Sequence, residues 1–278
     1  MSQVNRRISK AFKGAKTISL KDYPKIVIMS DCHRGNGSWA DNFINNKPLY
    51  IAALKYYYIN NFAYIELGDG DELWENRSFK DIYQIHKEIY NIFLDYYKKD
   101  KLFMVFGNHD RIKENSKYMM SSLNISIPFF ESIIIENGLK KPLFLFHGYQ
   151  GDVLNDYLWK ITRWMVRYLW RPLELNGVKD PTSAAKNYTK IRHIEDRFIK
   201  WAELYDCIVI AGHTHRPALP PKEKMSYCNC GSCIHPNTVT ALEIEYGKIS
   251  LVKWSTCANN DMSLYVCKEI LAGPYDLP

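Results

Sequence analysis

The chain has 278 residues, of which 46% are hydrophobic and 24% charged, and its formal charge is +7. This is an ordinary globular composition, enough for one large domain or two small ones. No apolar run reaches the roughly 18 residues needed to cross a bilayer, and no apolar core follows Arg6-Arg7 to make an export signal. The seven cysteines are an odd number, mostly scattered, and read as reduced thiols; a cytoplasmic protein is the expectation.

Residues 1–24 carry Arg6, Arg7, Lys10, Lys13, Lys16 and Lys21 with little hydrophobic pattern. They read as a basic arm, flexible or docked on the surface, able to meet phosphates or an anionic membrane. Residues 25–29 are a short apolar strand that ends in a polar, glycine-rich loop holding Asp31, His33 and Arg34. Residues 49–60 have helical character, and 63–67 form a second strand with the loop Gly68-Asp69-Gly70-Asp71-Glu72. Residues 79–99 show helical spacing at Ile82, Ile85, Ile89 and Phe93. The apolar run 102–106 then stops at Gly107-Asn108-His109-Asp110. Strand, polar loop and helix thus recur, the pattern of an α/β fold whose sheet is largely parallel. Ligands in such folds sit beyond the carboxyl ends of the strands, so these loops are expected to converge.

The second half changes character. Residues 132–136 and 143–146 read as a hairpin about Asn137-Gly138, its second strand ending at His147. Residues 152–205 are expected to be a helical insert. In it Leu158, Ile161, Met165, Tyr168 and Leu169 share one face and Lys160, Arg163, Arg167 and Arg171 another, with Trp159, Trp164 and Trp170 between. Such an insert can act as a lid that offers arginines to a diphosphate and aromatics to a lipid or base, or can pack its apolar face on the domain. Residues 207–211 are another buried strand, followed by Gly212-His213-Thr214-His215; 239–245 and 248–254 make a closing hairpin, and 258–278 read as a tail. Cys228, Cys230 and Cys233 have zinc-like spacing but read as free thiols, and His86 and His193 as packing or surface residues.

Five strand ends therefore present Asp31 and His33, Asp69, Asn108 and His109, His147, and His213 and His215. Mixed His, Asp and Asn donors suit borderline divalent cations such as Mn, Fe, Zn or Co rather than a structural zinc. In order and spacing, Asp-x-His (31–33), Gly-Asp-x-x-Glu (68–72), Gly-Asn-His-Asp (107–110), His147 and Gly-His-Thr-His (212–215) resemble the calcineurin-like metallophosphoesterases over most of residues 26–254. The resemblance implies two mixed β-sheets sandwiched together and flanked by helices, in one domain spanning 25–257, with two metals at the strand ends.

Carried over by position, the resemblance gives Asp31, His33 and His215 to one metal, Asn108, His147 and His213 to the other, and makes Asp69 the bridge. A hydroxide held by two cations about 3.5–4 Å apart would attack phosphorus, with manganese the expected metal. His109 would protonate the leaving oxygen, Asp110 would hold the His109 ring or cap a helix, and Glu72 would orient a ligand. Arg34, Arg163 and Arg167 are the candidate substrate contacts. Gly68-Asp69-x-x-Glu72-x-Trp74 and His213-Thr214-His215-Arg216-Pro217 look closer to the UDP-2,3-diacylglucosamine hydrolases. The resemblance there breaks at His109, where that group has Arg, and at His147-Gly148, where its Asp would follow at once.

A phosphorylated small molecule or a lipid-linked diphosphate is the substrate class implied, with contact to an anionic membrane and no sign of nucleic acid. A serine/threonine phosphoprotein phosphatase is the alternative within the same chemistry, and a metal-free scaffold the alternative outside it. The long insert and the Trp74 pattern count against the first, and the complete ligand set against the second.

Overall fold

The computed structural model describes residues 3–38, 41–114, 127–136, 139–152, 159–170 and 188–278. Two mixed sheets lie face to face. One has seven strands: β2 (Lys25–Met29), β3 (Ala63–Leu67), β4 (Leu102–Val105) and β5 (Phe129–Phe130) run parallel on one side, and β10 (Thr238–Glu245), β11 (Lys248–Ala258) and β12 (Leu264–Asp276) extend it antiparallel beyond β2. The other runs β1 (Lys16–Ser19), β6 (Ser132–Glu136), β7 (Leu143–Phe146), β8 (Ile208–Ala211) and β9 (Tyr227–Asn229).

The continuous apolar runs of these strands follow from burial on both faces. In β2, Ile26 and Ile28 enter the core between the sheets, with Ile65 of β3, Ile133 of β6 and Ile210 of β8. The alternate residues Val27 and Met29 face the helices α2 (Lys47–Ile59), α3 (Phe79–Ile85) and α4 (Lys87–Lys98) through Leu54, Tyr57, Ile82 and Phe93. On the far side, α1 (Gln3–Lys13) and α6 (Tyr188–Leu204) cover the five-stranded sheet with Val4, Ile8, Phe198 and Trp201 against Phe144 and Val209. The order of layers is helix, sheet, sheet, helix.

Several expectations change. The segment expected to be a basic arm is built into the fold from residue 3 on: α1 buries Val4, Ile8 and Ala11, and β1 pairs in parallel with β6. Arg6, Lys10 and Lys13 are left exposed on the outer face of α1. Within the expected tail 258–278, Leu264–Asp276 is a strand paired with β11, and Cys257 and Cys267 form a disulfide between β11 and β12. The other five cysteines are free and buried. The helix expected over 79–99 divides at His86, whose buried ring meets the Gly35 carbonyl at 3.0 Å and so ties the helix break to the loop after β2. Of the expected insert, α5 (Trp159–Met165) runs into a single π-helical turn at Val166–Trp170. Residues 153–158 and 171–187, with Leu158 and Arg171, lie outside the described residues, as does the turn Asn137-Gly138. No helix among the described residues is long and apolar enough to cross a membrane.

Candidate metal centre

The parallel strands of both sheets deliver their carboxyl ends to one edge of the sandwich. From the seven-stranded sheet come Asp31 and His33 after β2, Asp69 after β3, and Asn108 and His109 after β4; from the other come His147 after β7 and His213 and His215 after β8. Turning a side chain inward directly after a strand needs an abrupt change of backbone direction. Asp31, His33, Asp69, His213 and His215 accordingly all adopt left-handed conformations, with φ between 48° and 65°. Such a conformation is uncommon for residues with a side chain and persists where the surroundings enforce it. Here the Asp31 and His33 amides bind the carbonyls of Gly68 and Asp69, and the Gly212 amide binds that of His147. Gly107 is required by close approach, since a Cβ there would lie 2.1 Å from Asp69 Oδ1.

The outer partners of these residues fix which atoms point inward. Asp31 Oδ2 accepts from the Ser30 hydroxyl (2.7 Å) and the His213 amide (2.9 Å), leaving Oδ1 to the interior. Asp69 Oδ1 accepts the His109 amide at 2.8 Å, leaving Oδ2. His147 Nδ1 lies 2.9 Å from the Leu67 carbonyl, which can only accept, so Nδ1 carries the hydrogen and Nε2 presents a lone pair. Glu72 receives Nδ1 of both His33 (2.9 Å) and His109 (2.8 Å).

What remains is a ring of acceptors facing one another. His147 Nε2 lies 3.0 Å from Asp69 Oδ2, and His215 Nε2 lies 3.0 Å from Asp31 Oδ1. Asp31 Oδ1, His33 Nε2, Asn108 Oδ1, His147 Nε2 and His213 Nε2 are all buried without a hydrogen-bond partner. Buried polar atoms are nearly always paired, and two lone pairs at 3.0 Å repel unless a proton or a metal cation lies between them. The donor atoms of Asp31, His33 and His215 lie within 4.8 Å of one another, as do those of Asp69, His147 and His213, and those of His33, Asp69 and His109. The residues present therefore fit divalent cations in chemistry, spacing and orientation.

Their charge agrees. Burial opposes ionisation of Asp69, but His147 and His109 outweigh it and hold the carboxyl well below its usual range; Asp31 is held low in the same way by His215 and His147. Glu72, despite burial, is brought down to about 2 by His109 and His33. Burial disfavours charge on His147, yet Asp69 and Asp31 push it up to about 9. A proton and a metal thus compete for the same Nε2. Because the folded value lies above the ordinary 6.5, the His147–Asp69 ion pair stabilises the metal-free fold most below pH 6.5 and is lost as pH rises through about 9. Metal affinity should run the other way, rising across that window with proton release. Manganese calorimetry at pH 6.5 and 8.5, in buffers of different ionisation enthalpy, checks this; equal affinity and no proton release would contradict it.

Three expected residues have other places. Arg34 is not a phosphate contact. Its guanidinium is wholly buried, 2.6 Å from Glu66 and 2.7 Å from Asp71, because two buried carboxylates beneath the loops require a cation. Asp110 does not hold the His109 ring. It accepts the amides of Gly107 (2.7 Å) and Gly70 (3.2 Å) and pairs with buried Lys113 (2.7 Å), so it fastens the loops after β3 and β4 together. Arg167 turns from the solvent and donates to the carbonyls of Trp74 (2.9 Å) and Leu73 (2.7 Å). Arg163 stays half-buried on α5. Glu72 is where a ligand-orienting carboxylate would be. Sequence reasoning missed Ser30 and the stacking of Trp74 on His109, whose ring centroids lie 4.1 Å apart. It also did not foresee Asp152, which reaches within 3.9 Å of His213 Nε2 although three residues separate it from Gly148.

Comparison with known proteins gives a match of residues 24–217 to the family model for calcineurin-like phosphoesterases. No curated protein matches the chain. Among solved structures, Vps29 from Chaetomium thermophilum is 11% identical, with a TM-score of 0.44, covering 92% of this chain and 100% of that one. A putative 5'-nucleotidase from Staphylococcus aureus, solved with alpha-ketoglutarate, is 14% identical, with a TM-score of 0.37, covering 89% of this chain and 53% of that one.

Proposed function

The chain belongs to the calcineurin-like phosphoesterases, and on that premise we propose that it is a dinuclear metal-dependent hydrolase of phosphate esters or diphosphates. The observation that carries this is the convergence of buried His, Asp and Asn donor atoms on one another, with Asn108 Oδ1 and His213 Nε2 among those left without a hydrogen-bond partner. In the proposed site Asp31, His33 and His215 hold one cation, Asn108, His147 and His213 a second, and Asp69 stands between. Two divalent cations bound there supply Lewis acidity, charge for the phosphate, and hydroxide near neutral pH; manganese is the proposed metal.

The remaining work falls to the chain. Ser30 and the His213 amide keep Asp31 Oδ1 turned inward, and the His109 amide does the same for Asp69 Oδ2. His109 is the most exposed ring of the group, with its side chain 23% accessible, and Glu72 holds its Nδ1. Its Nε2 is left to hold a proton and pass it to the departing oxygen. Exposed Ile161, Trp164, Met165, Tyr168 and Leu169, beside Arg163, favour a substrate with an apolar part, a nucleotide-sugar or lipid-linked diphosphate, met by a cytoplasmic enzyme at an anionic membrane. Among the described residues no comparable feature favours a phosphoprotein substrate.

The test is direct. Metal-free protein should take up two equivalents of manganese and, with them, hydrolyse 4-nitrophenyl phosphate or its diester, losing both on chelation. Stoichiometric manganese binding without turnover of any phosphate ester or nucleotide diphosphate conjugate would leave a scaffold as the better account.

A further inference from the structure

One arginine of the insert reaches the proposed acid through the chain. Arg167 sits on the π-helical turn Val166–Trp170. Its Nε donates to the Trp74 carbonyl at 2.9 Å, and its Nη2 to those of Leu73 (2.7 Å) and Asn76 (3.3 Å). The neighbouring Tyr168 ring lies under the Arg77 guanidinium at 5.2 Å. These carbonyls belong to a tight turn whose other end is built on Glu72: the Trp74 amide meets Glu72 Oε1 at 3.2 Å, and the Asn76 amide meets the Glu72 carbonyl at 3.2 Å. A guanidinium suits these three carbonyls because its donors lie in a rigid planar fork, whereas a lysine ammonium is a point donor on a flexible stem.

The same turn grips His109 from two directions. Glu72 takes its Nδ1 hydrogen at 2.8 Å, which fixes one edge of the ring. That bond alone leaves the ring free to swing about the Nδ1–carboxylate line. The Trp74 indole removes the freedom by stacking on the imidazole face, with centroids 4.1 Å apart and planes within 20°. Trp74 is itself only 3% exposed, so the ring it stacks on cannot push it aside.

We propose that Trp74 and Arg167 are positioning residues for His109, Trp74 directly and Arg167 by holding the turn, so that docking of the insert sets the aim of the acid. This rests on His109 acting as the acid. A donor displaced by about 1 Å can cost on the order of 10²-fold in rate, and the cost falls mainly on substrates whose leaving group needs the proton. Phenyl esters need it; 4-nitrophenyl esters scarcely do.

The experiment compares phenyl and 4-nitrophenyl phosphate hydrolysis with manganese in wild type, His109→Ala, Trp74→Leu, Trp74→Phe and Arg167→Met. Trp74→Leu should lower kcat on the phenyl ester about 10- to 100-fold and on the 4-nitrophenyl ester less than about threefold, with KM unchanged. Trp74→Phe should recover most of the loss. Arg167→Met, on the partly exposed insert and therefore safe for folding, should show the same selectivity at about 3- to 10-fold. In metal-free protein the His109 ring protons should move downfield in Trp74→Leu, as the indole ring current is lost, and shift also in Arg167→Met. Equal losses on both esters, or unmoved His109 signals with a leaving-group-selective His109→Ala, would overturn the proposal. A His109→Ala variant with no leaving-group dependence would instead remove the acid role itself, and this inference with it.

Discussion

Asp69→Asn should keep the fold and lose the reaction. Asparagine tolerates the left-handed backbone found at this position, and its side-chain oxygen can still accept the His109 amide. The lost charge is the one placed between the two sets of donors. Moreover, the new amide nitrogen would face His147 Nε2, 3.0 Å from the oxygen it replaces, and donate to its lone pair. The variant would thus fill with an internal hydrogen bond the gap that calls for a cation. Turnover of an aryl phosphate should fall on the order of 10³-fold or more, and manganese stoichiometry should drop below two, while circular dichroism and melting stay close to wild type. Wild-type turnover in Asp69→Asn would refute the dinuclear assignment outright.

The second large effect is on stability. Arg34→Met removes the cation between Glu66 and Asp71, all three side chains being buried. Breaking a buried pair by deleting one partner costs about 3–5 kcal/mol, because the other charge stays in a poor solvent. At about 2–4 °C per kcal/mol, the melting temperature should fall by roughly 10 °C. Lysine should rescue little, since a point ammonium cannot reproduce the two-pronged contact of Nη1 and Nη2 with Glu66 while also reaching Asp71 as Nε does. Burial opposes the charge on Asp71, but Arg34 and Lys113 together hold its carboxyl far below the usual range. That contribution is therefore present above the ordinary carboxylate pKa and is lost as pH falls through the folded value. Thermal melts of wild type, Arg34→Met and Arg34→Lys measure both points; a variant as stable as wild type would mean that water or a rearranged Lys113 serves the carboxylates instead. The Glu72 amide binds the Arg34 carbonyl at 3.0 Å, so damage here should spread to the metal-binding loops.

The sequence by itself determined the strands β2, β3, β4, β7 and β8 and the polar residues at their ends. A parallel strand buried on both faces must be an unbroken apolar run, and such a run ending in His or Asp is legible without coordinates. The same cue is absent from β1 and β9, which have four and three residues and take their shape from the strands they pair with. It is absent from β12 too, an edge strand largely exposed along its length, where no core enforces alternation. The narrow stripe Val4, Ile8 and Ala11 hid α1 among its basic residues.

Within the site, residue type and spacing selected the donors, because few side chains can offer a lone pair at a strand end. Only the tertiary structure decided which charged neighbours point inward and which lock the loops from beneath. Arg34 and Asp110 lie one residue from His33 and His109 and share their polarity, yet each side chain is claimed by a buried partner brought from another strand or loop. Arg167 is separated by more than ninety residues from the carbonyls it binds. Pairings of that kind depend on how the layers close over one another, and so no local pattern announces them.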